Sequence, residues 1–467
     1  MAEFKFNLPR EEAMTALTGN LLRPGDEEYA RLCSGWNTRV VHRPEYAVAA
    51  PSPEHVQDAV RFAAERKLPV RVQSTGHGVL AASKGGVLID TSGIGGVRVD
   101  PARQVAEIGA GVRWQELLDV AQGHGFAGLA GSASPVGVVG YALGGGNGWL
   151  ARRYGLCSDM IDAAEVVTVD GNRRWVSADA EPDLLWALKG GGGNFGVVTT
   201  LRLRLVAQPM VCAGAIYWPI SEARELLTAY RDWVAASPPE MGSAVAFIQY
   251  PAIAPVPDPV KGVPVVALRI CHPGSEEDAK RAILPFYKIA GSILDTIRVM
   301  PYREIGSVTM DSPLHLPRIG YSESLREISD RIVDGLPQAL PPGSPFLAME
   351  LRNGAGGGIA RPVSGHEGLG YWSSPFMFFG MSVTPDAAKE QAALEMGRRL
   401  DAVFAHDRTG TNVLNFLLPE HTPVDASGKA RVETTFKPSH YERLAALKKR
   451  YDPSSLLGGD RAIAPSA

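Results

Sequence analysis

Six glycines fall within residues 137–148 of one stretch, SASPVGVVGYALGGGNGWLARRYG at 132–155. They are Gly137, Gly140, Gly144, Gly145, Gly146 and Gly148. Missing side chains leave backbone N–H groups open, and consecutive amides of this kind bind phosphate or an anionic heterocycle. Tight turns rarely need so many glycines so close together, so the stretch predicts contact with a ligand. A set of tight turns is the alternative.

A second candidate segment is RVQSTGHGV, at residues 71–79. The alternation in LPVRVQ predicts a strand, and His77 follows it in a turn between Gly76 and Gly78. Because both neighbours lack side chains, a bulky planar group can approach the imidazole closely. A single histidine is more often structural or solvated, and that alternative stays open at this point.

A third segment, KGGGGNFGVVT at residues 189–199, contains G-x-G-x-x-G as Gly191, Gly193 and Gly196. A Rossmann dinucleotide-binding turn must follow a strand and open a helix. This one follows the predicted helix DLLWALK and opens the predicted strand VVTTLRLRLV. It is therefore not a Rossmann turn, although a backbone-lined cofactor loop of another kind remains open.

Periodic segments around these three predict mixed helices and strands. Before residue 207 they predict the helix PSPEHVQDAVRFAAERK, the strand GGVLIDTS, a hairpin of VRVD and QVAEIGAG, and a hairpin about Asp170-Gly171-Asn172. Further on they predict the helix SEARELLTAYRDWVAAS, the strands GVPVVALRICH and PFLAMELRN, and the closing helix in FKPSHYERLAALKKRYDPSS. The predicted fold class is α+β, with domains at 1–207 and 208–425 and a C-terminal segment at 426–467 that returns to the first domain.

Composition narrows the class of protein further. The 467 residues carry 47 Lys+Arg against 50 Asp+Glu, which disfavours a nucleic-acid or anionic-membrane binder. Four scattered cysteines predict buried thiols rather than a zinc site or a disulfide framework. Metalloprotease, α/β-hydrolase and Walker A motifs do not occur in the sequence. Because the sequence shows no apolar leader and no 18-residue apolar run, we expect a cytoplasmic protein. We also expect no metal site.

Taken together and in this order, the three segments resemble the FAD-binding domain of the vanillyl-alcohol oxidase superfamily, and specifically the berberine-bridge-enzyme-like oxidases. The resemblance extends over nearly the whole chain. It includes RPEYAVAAPSPEHVQDAVRFAAERKLPVRVQSTGHG, VGVVGYALGGGNGWLARRYGLCSDMI, DLLWALKGGGGNFGVVT, NFLLPEH and HYERLAALKKRYDPSSLL. It implies a two-domain fold, in which a PCMH-type FAD-binding domain is followed by a substrate-binding domain with an antiparallel sheet covered by helices.

The same resemblance implies FAD as cofactor, bound covalently through its 8α carbon to His77. A cysteine makes a second link in many members, but Ala133 stands at its place and Cys157 does not match it, so one covalent bond is predicted. The residues implied to bind the cofactor besides His77 are Ser74, Thr75, Gly76, Gly78, Gly137, Val138, Gly140, Gly144, Gly145, Gly146, Gly148, Gly193, Asn194, Gly196 and Val198.

Some residues depart from the family pattern. Gln73 stands where an arginine is frequent, and Thr75 replaces a glycine. Val139 replaces a glycine near the oxygen-reactive edge of the flavin, which predicts slower reaction with O2. The asparagine-rich ending of the family is replaced by LGGDR at residues 457–461.

Catalytic residues are implied only in the second half of the chain. Glu350 in PFLAMELRN matches a strand glutamate of the family and is the predicted base, with burial raising its pKa. Simple alternation puts it on one face with Phe346 and Ala348, and an outward-facing glutamate is the alternative. Asn415 matches a family asparagine near the flavin. Tyr371 and its neighbour Trp372 are expected to pack on an aromatic substrate or to fill the core.

The function that the resemblance implies is an FAD oxidase acting on a small or polycyclic secondary metabolite. Its partners would be that substrate and O2, with H2O2 as product, and the enzyme would be a monomer or a homodimer. Three alternatives stay open: a flavin protein without net redox chemistry, such as a cyclase, a dehydrogenase that avoids O2, and a binding protein that has lost its cofactor.

Overall fold

The structure is a computed structural model. It describes residues 17, 19–79, 81–254, 256–312, 314–339, 343–360, 374–410, 414–418 and 432–466. These residues form three β-sheets with helices packed between and upon them, so the predicted α+β class is confirmed. The division of the chain at residues 207 and 425 stays a prediction.

The first sheet has four strands in the order β1-β2-β4-β3. Strand β4 is parallel to both of its neighbours, and β1 is antiparallel to β2. Ser52 and Pro53 begin the predicted helix α2, whose residues Val56, Val60 and Phe62 are buried along one face. Lys67 ends this helix with a left-handed backbone, φ +54°. The elements are β1 Leu21–Leu22, α1 Tyr29–Leu32, β2 Tyr46–Ala49, α2 Pro53–Arg66, β3 Val70–Gln73 and β4 Val87–Asp90.

The second sheet has five antiparallel strands in the order β5-β6-β9-β7-β8. Its central strand, β9, buries Leu201 and Leu203 and turns Arg202 and Arg204 outward, as alternation predicts. The elements are β5 Val97–Asp100, β6 Val105–Gly109, α3 Trp114–Gly123, α4 Val138–Leu143, α5 Ala151–Tyr154, β7 Ile161–Val167, β8 Arg173–Ser177, α6 Pro182–Leu188 and β9 Val197–Arg204.

The third sheet is the largest, antiparallel throughout, and follows the order β13-β10-β12-β11-β16-β17-β15, with β14 also paired to β10. The elements are β10 Met210–Pro219, α7 Ala223–Val234, β11 Gly242–Gln249, β12 Pro264–His272, α8 Glu276–Ala282, β13 Leu294–Asp295, β14 Arg298–Pro301, β15 Arg318–Leu325, α9 Asp330–Gln338, β16 Phe346–Asn353, β17 Phe376–Val383, α10 Ala387–Phe404 and α11 Pro438–Tyr451.

One face of the third sheet packs on helices α7, α9 and α10 in a core that includes Met349 and Leu351. Phe346 belongs to this core, although simple alternation places it with Glu350. A β-bulge between Phe346 and Ala348 is the reason, because one extra residue moves the side chains before it to the other face. The prediction that Phe346 shares the face of Glu350 is therefore wrong.

The C-terminal helix α11 and the segment after it pack on the first half of the chain. Lys448 is fully buried and donates to Asp452 and to the carbonyl oxygens of Asn194 and Leu457. All four cysteines are free and buried, as predicted. Among the described residues, no helix is both long enough and apolar enough to cross a membrane.

Candidate active site

The His77 turn follows strand β3, as the sequence predicts. Gly76 has φ +68° and lies so close to Gly35 that an added Cβ would come within 2.5 Å of the Gly35 Cα. The His77 imidazole stacks on the Trp36 indole, with 4.3 Å between ring centroids and 21° between planes. Burial lowers the pKa of His77 to about 3, so the imidazole is neutral near pH 7.

Two buried polar atoms of this turn have no hydrogen-bond partner in the part of the chain that the structure describes. They are Nδ1 of His77 and Oγ of Ser74. Thr75 accepts a hydrogen bond at its carbonyl from the Trp36 amide, 3.0 Å. The Gln73 amide donates to the carbonyl oxygens of Leu32 and Ser34, and its Oε1 lies 3.0 Å from where a Cβ of Gly76 would stand. Gln73 is buried and holds the loop around residues 32–34 in place.

The six glycines of the central stretch lie in two kinds of surroundings. Gly137 precedes α4, and a Cβ there would contact the side chains of Thr75 and Ser74, while Gly140 is exposed with no atom near a Cβ position. The other four serve the protein's own packing. Added side chains at Gly144, Gly146 and Gly148 would meet Asn415, Tyr141 and the Ala130 carbonyl oxygen respectively, and the Gly145 carbonyl accepts from the Ser158 amide. Packing within the protein therefore accounts for four of the six glycines, and ligand contact at Gly137 and Gly140 stays a prediction.

Val138 and Val139 are buried in the core of the first half of the chain. The amide of Val138 donates to the carbonyl oxygen of Val112 at 3.0 Å, so neither its side chain nor its N–H is open to a ligand. Contact of Val138 with the cofactor stays a prediction. The effect of Val139 on O2 reactivity stays a prediction.

The third glycine segment is mostly structural. Gly193 is exposed with open space above its Cα, which leaves it available to a ligand. Asn194 is not available, because its side chain bonds to the carbonyl oxygens of Gly191 and Arg461 and to the Ile463 amide. The next two implied residues also turn inward: Gly196 lets β9 approach Val166, and Val198 lies in the core. Contact of Asn194, Gly196 and Val198 with the cofactor stays a prediction, and their side chains and packing serve the fold.

The C-terminal segment brings a cation to the His77 turn that the sequence did not single out. Arg461 donates from Nη1 to the Gly78 carbonyl oxygen at 2.9 Å, and its Nε is buried without a partner among the described residues. Burial lowers the pKa of Arg461 to about 10. The neighbouring Asp460 accepts hydrogen bonds from Arg71 and from the Ala81 amide. Residues 460–461 thus fasten the end of the turn, at Gly78 and Ala81.

Glu350 lies on the face of the third sheet opposite to the helices, between two arginines. Its Oε2 accepts from Nη1 of Arg269 at 2.8 Å and its Oε1 from Nε of Arg352 at 2.7 Å. The residue is buried, as expected of an inward-facing side chain. The expected rise in pKa is wrong, because although burial raises it, the two guanidinium groups together hold the pKa of Glu350 below its usual value.

Arg352 connects this face of the sheet to the central glycine stretch. Its Nη2 donates to Oγ of Ser132 at 3.1 Å and its Nη1 reaches the Asn147 carbonyl oxygen at 3.5 Å. Ala133, where a second flavin link would need cysteine, directly follows Ser132. The Arg269–Glu350–Arg352 network therefore lies directly over residues 132–147.

Asn415 is the one implied catalytic residue besides Glu350 that the structure describes. Its Nδ2 donates to the Tyr141 carbonyl oxygen at 2.8 Å, and its backbone amide donates to the Gly144 carbonyl oxygen at 3.2 Å. The next residue, Phe416, contacts Phe379 of β17 edge to face, with 5.5 Å between ring centroids. Asn415 thus lies at the glycine stretch and beside the large sheet. Tyr371 and Trp372 lie outside the described residues.

These surroundings fit FAD. The cofactor's phosphates and flavin ring need hydrogen-bond donors and close approach to backbone, and the structure offers both. Ser74 Oγ, His77 Nδ1 and Arg461 Nε are buried atoms without partners in the described ranges, and Gly140 and Gly193 leave open space where a side chain would stand. Unpartnered buried polar groups at one place are a common sign of a missing ligand.

Comparisons with known proteins agree with this fit. Residues 44–177 match the family model described as an FAD binding domain. The chain is 29% identical over 466 residues to (R)-6-hydroxynicotine oxidase of Paenarthrobacter nicotinovorans, which covers 94% of this chain and 95% of that protein. The crystal structure of 6-hydroxy-D-nicotine oxidase from Arthrobacter nicotinovorans matches with a TM-score of 0.81 at 26% identity, covering 99% and 100% of the two chains.

A third relative shows the same fold. Berberine-bridge-enzyme-like protein 1 of Physcomitrella patens matches with a TM-score of 0.80 at 19% identity, covering 98% of this chain and 100% of that one. The fold and the site together define an FAD-linked oxidoreductase. Its homologues are FAD-linked oxidases of the PCMH-type, or vanillyl-alcohol oxidase, superfamily, and berberine-bridge-enzyme-like proteins are among its structural neighbours.

Proposed function

We propose that this enzyme is an oxidase that takes a hydride from the carbon and a proton from the oxygen or nitrogen of an alcohol or amine group on a small, partly aromatic metabolite. The bound flavin would accept a hydride at N5 and pass the electrons to O2, giving H2O2. The observation that carries the proposal is the Arg269–Glu350–Arg352 network, because it lies over the glycine stretch through the bonds of Arg352 to Ser132 and Asn147.

The chain's own residues support a single covalent link through His77. Its imidazole is neutral near pH 7, since burial holds its pKa at about 3, and a neutral ring nitrogen is a nucleophile. Trp36 fixes the plane of the ring by stacking, and the Arg318 guanidinium lies over the same indole, 5.3 Å from its centroid. The cations nearby disfavour protonation of the imidazole further.

The large sheet supports a substrate with an apolar, planar part. Phe379 and Phe416 lie beside Glu350 and Arg352, with the Arg352 guanidinium 5.9 Å from the Phe416 ring centroid. Glu350 is held as a carboxylate by its two arginines and so positions them rather than exchanging protons. The full-length relative acts on (R)-6-hydroxynicotine, an aromatic amine-bearing compound, which makes that molecule a rational first probe.

A screen of the purified yellow protein tests this function. The panel contains (R)-6-hydroxynicotine, its enantiomer, 1-phenylethanol and further aromatic secondary alcohols and amines. We expect at least one of them to bleach the flavin absorbance without air and to release H2O2 with air. Reduced flavin that persists in air would instead indicate a dehydrogenase. Product formation without flavin reduction would indicate non-redox chemistry, and a protein that no alcohol or amine reduces would contradict the proposal.

A further inference from the structure

Asp311 is a carboxylate that the contacts of the site leave unused. It follows the 3-10 turn Tyr302–Val308 and precedes strand β15. Its side chain is accessible, and within the described residues it makes neither a hydrogen bond nor an ion pair within the usual distance limits. Acidic residues without partners are ordinary on an outer surface but not beside a buried network of charges.

The backbone next to Asp311 places it at the site. Thr309, two residues earlier, accepts at its carbonyl from Nη2 of Arg269 at 3.1 Å and donates from its hydroxyl to the Ser132 carbonyl oxygen at 3.0 Å. Arg269 belongs to the Arg269–Glu350–Arg352 network of the large sheet, and Ser132 begins the glycine stretch. The segment that carries Asp311 is therefore held between the large sheet and the glycine stretch.

Charged groups face Asp311 from three strands. They are Arg269 of β12, Glu350 and Arg352 of β16, and Arg318 of β15. Loss of hydration raises the pKa of Asp311, the nearby Glu350 charge adds to this, and the three arginines oppose it. Together with the bonds of Thr309, these charges place Asp311 beside the Arg269–Glu350–Arg352 network, and we call the space bordered by Asp311, Glu350 and the three arginines the chamber.

We propose that Asp311 is the catalytic base of the oxidation and takes the proton from a neutral hydroxyl or amine of the substrate. This inference rests on the proposed function. When the substrate C–H bond breaks, the hydrogen leaves with its electron pair to the cofactor. The O–H or N–H proton goes to an Asp311 carboxylate oxygen, and the C=O or C=N bond forms. O2 then takes two electrons and two protons, one of them the proton returned from Asp311.

The charges around Asp311 also assign roles and a substrate class. Glu350 already accepts from two guanidinium groups, so protonating it would break both ion pairs, and it is a positioning residue. Three arginines against two carboxylates leave the chamber with excess positive charge. The chamber therefore favours neutral over cationic substrates, and an amine substrate enters in its uncharged form.

The first test compares the rate of anaerobic flavin reduction by 1-phenylethanol and by 1-phenylethylamine, which carry the O–H or N–H proton that the step requires, in wild type, D311N and D311E. Removing a general base costs about 10²- to 10⁴-fold in rate. We expect a loss of that size in D311N, a flattened pH profile, unchanged flavin content and partial recovery in D311E. The matched control is E304Q, since Glu304 lies on the adjacent turn and pairs with Arg298 at the surface. Equal rates and equal pH profiles in D311N and E304Q would overturn the proposal.

The second test needs no substrate and separates the two proposals. The absorbance of the bound flavin is titrated from pH 4 to pH 8, because ionisation of a carboxylate at the chamber shifts the flavin spectrum. We expect a transition above the ordinary aspartate pKa of about 3.9 in wild type and in E304Q, and its loss in D311N. If no probe reduces the flavin but this transition depends on Asp311, the function fails and the placement of Asp311 stands. A transition retained in D311N overturns the assignment.

Discussion

At the scale of single residues, Trp36 stacks on His77, and we expect this stacking to set how the imidazole meets the flavin. We expect Trp36→Ala to lower the fraction of chains with covalently bound flavin several-fold, because the ring loses the surface that sets its plane. Trp36→Phe should restore most of it. The measurement is flavin fluorescence of the denatured protein relative to total bound flavin.

Trp175→Ala is the control, since Trp175 is an exposed tryptophan on β8. Full covalent attachment in Trp36→Ala would show that the stacking is irrelevant to the link.

Sequence patterns could single out His77 but not its neighbours. His77 lies between two glycines after a predicted strand, and that local signal is visible in the chain. Trp36 comes 41 positions earlier in a segment without periodicity, and Asp311 lies in an irregular segment. Only the packing of Gly76 on Gly35, and the bonds of Thr309, bring these residues to the site. No short-range pattern encodes such contacts.

At the scale of elements, helix α11 is tied to the flavin site by one buried lysine. Lys448→Met would leave the fully buried Asp452 without its ion-pair partner and remove hydrogen bonds to Asn194 and Leu457. Breaking a buried pair in this way costs about 3–5 kcal/mol of unfolding free energy. Chemical denaturation measures the loss.

Arg450→Met, on the exposed side of the same helix, is the matched control and should cost less than about 1 kcal/mol. A Lys448→Met protein as stable as this control would contradict the role given to the buried pair.

The bounds of elements were predictable where a start or stop residue is local. Pro53 begins α2 and the turn at Asp170-Gly171-Asn172 joins β7 to β8, as predicted. The bulge before Ala348 was not predictable, because one inserted residue leaves the apolar pattern almost unchanged while reversing the faces. The Arg269–Glu350 pair also depends on register across β11, which alternation within one strand does not reveal.

At the scale of the whole molecule, Glu323 couples the packing of α10 on the large sheet to pH. Burial raises its pKa to about 7, and Arg408 beside it also pairs with Asp401 of α10. A carboxyl with a raised folded pKa binds more protons when folded, so stability falls as pH rises from about 4.3 to 7. We expect Glu323→Gln to remove this fall, worth at most about 4 kcal/mol.

The measurement is the free energy of unfolding of wild type and Glu323→Gln at pH 4 and pH 8. Glu395→Gln, on the exposed side of α10, is the control. The assignment predicts that wild type loses stability relative to Glu323→Gln between pH 4 and pH 8. No such relative loss would contradict it.

The central claim is that His77 holds the flavin of an oxidase fold through one covalent bond, and a denaturing gel tests it most directly. Wild type, His77→Ala and Cys157→Ser proteins are denatured in acid and separated, and the bands are examined for flavin fluorescence. The account predicts fluorescent wild-type and Cys157→Ser bands and a dark His77→Ala band from a protein that is still yellow before denaturation. A dark wild-type band, or a fluorescent His77→Ala band, would contradict it.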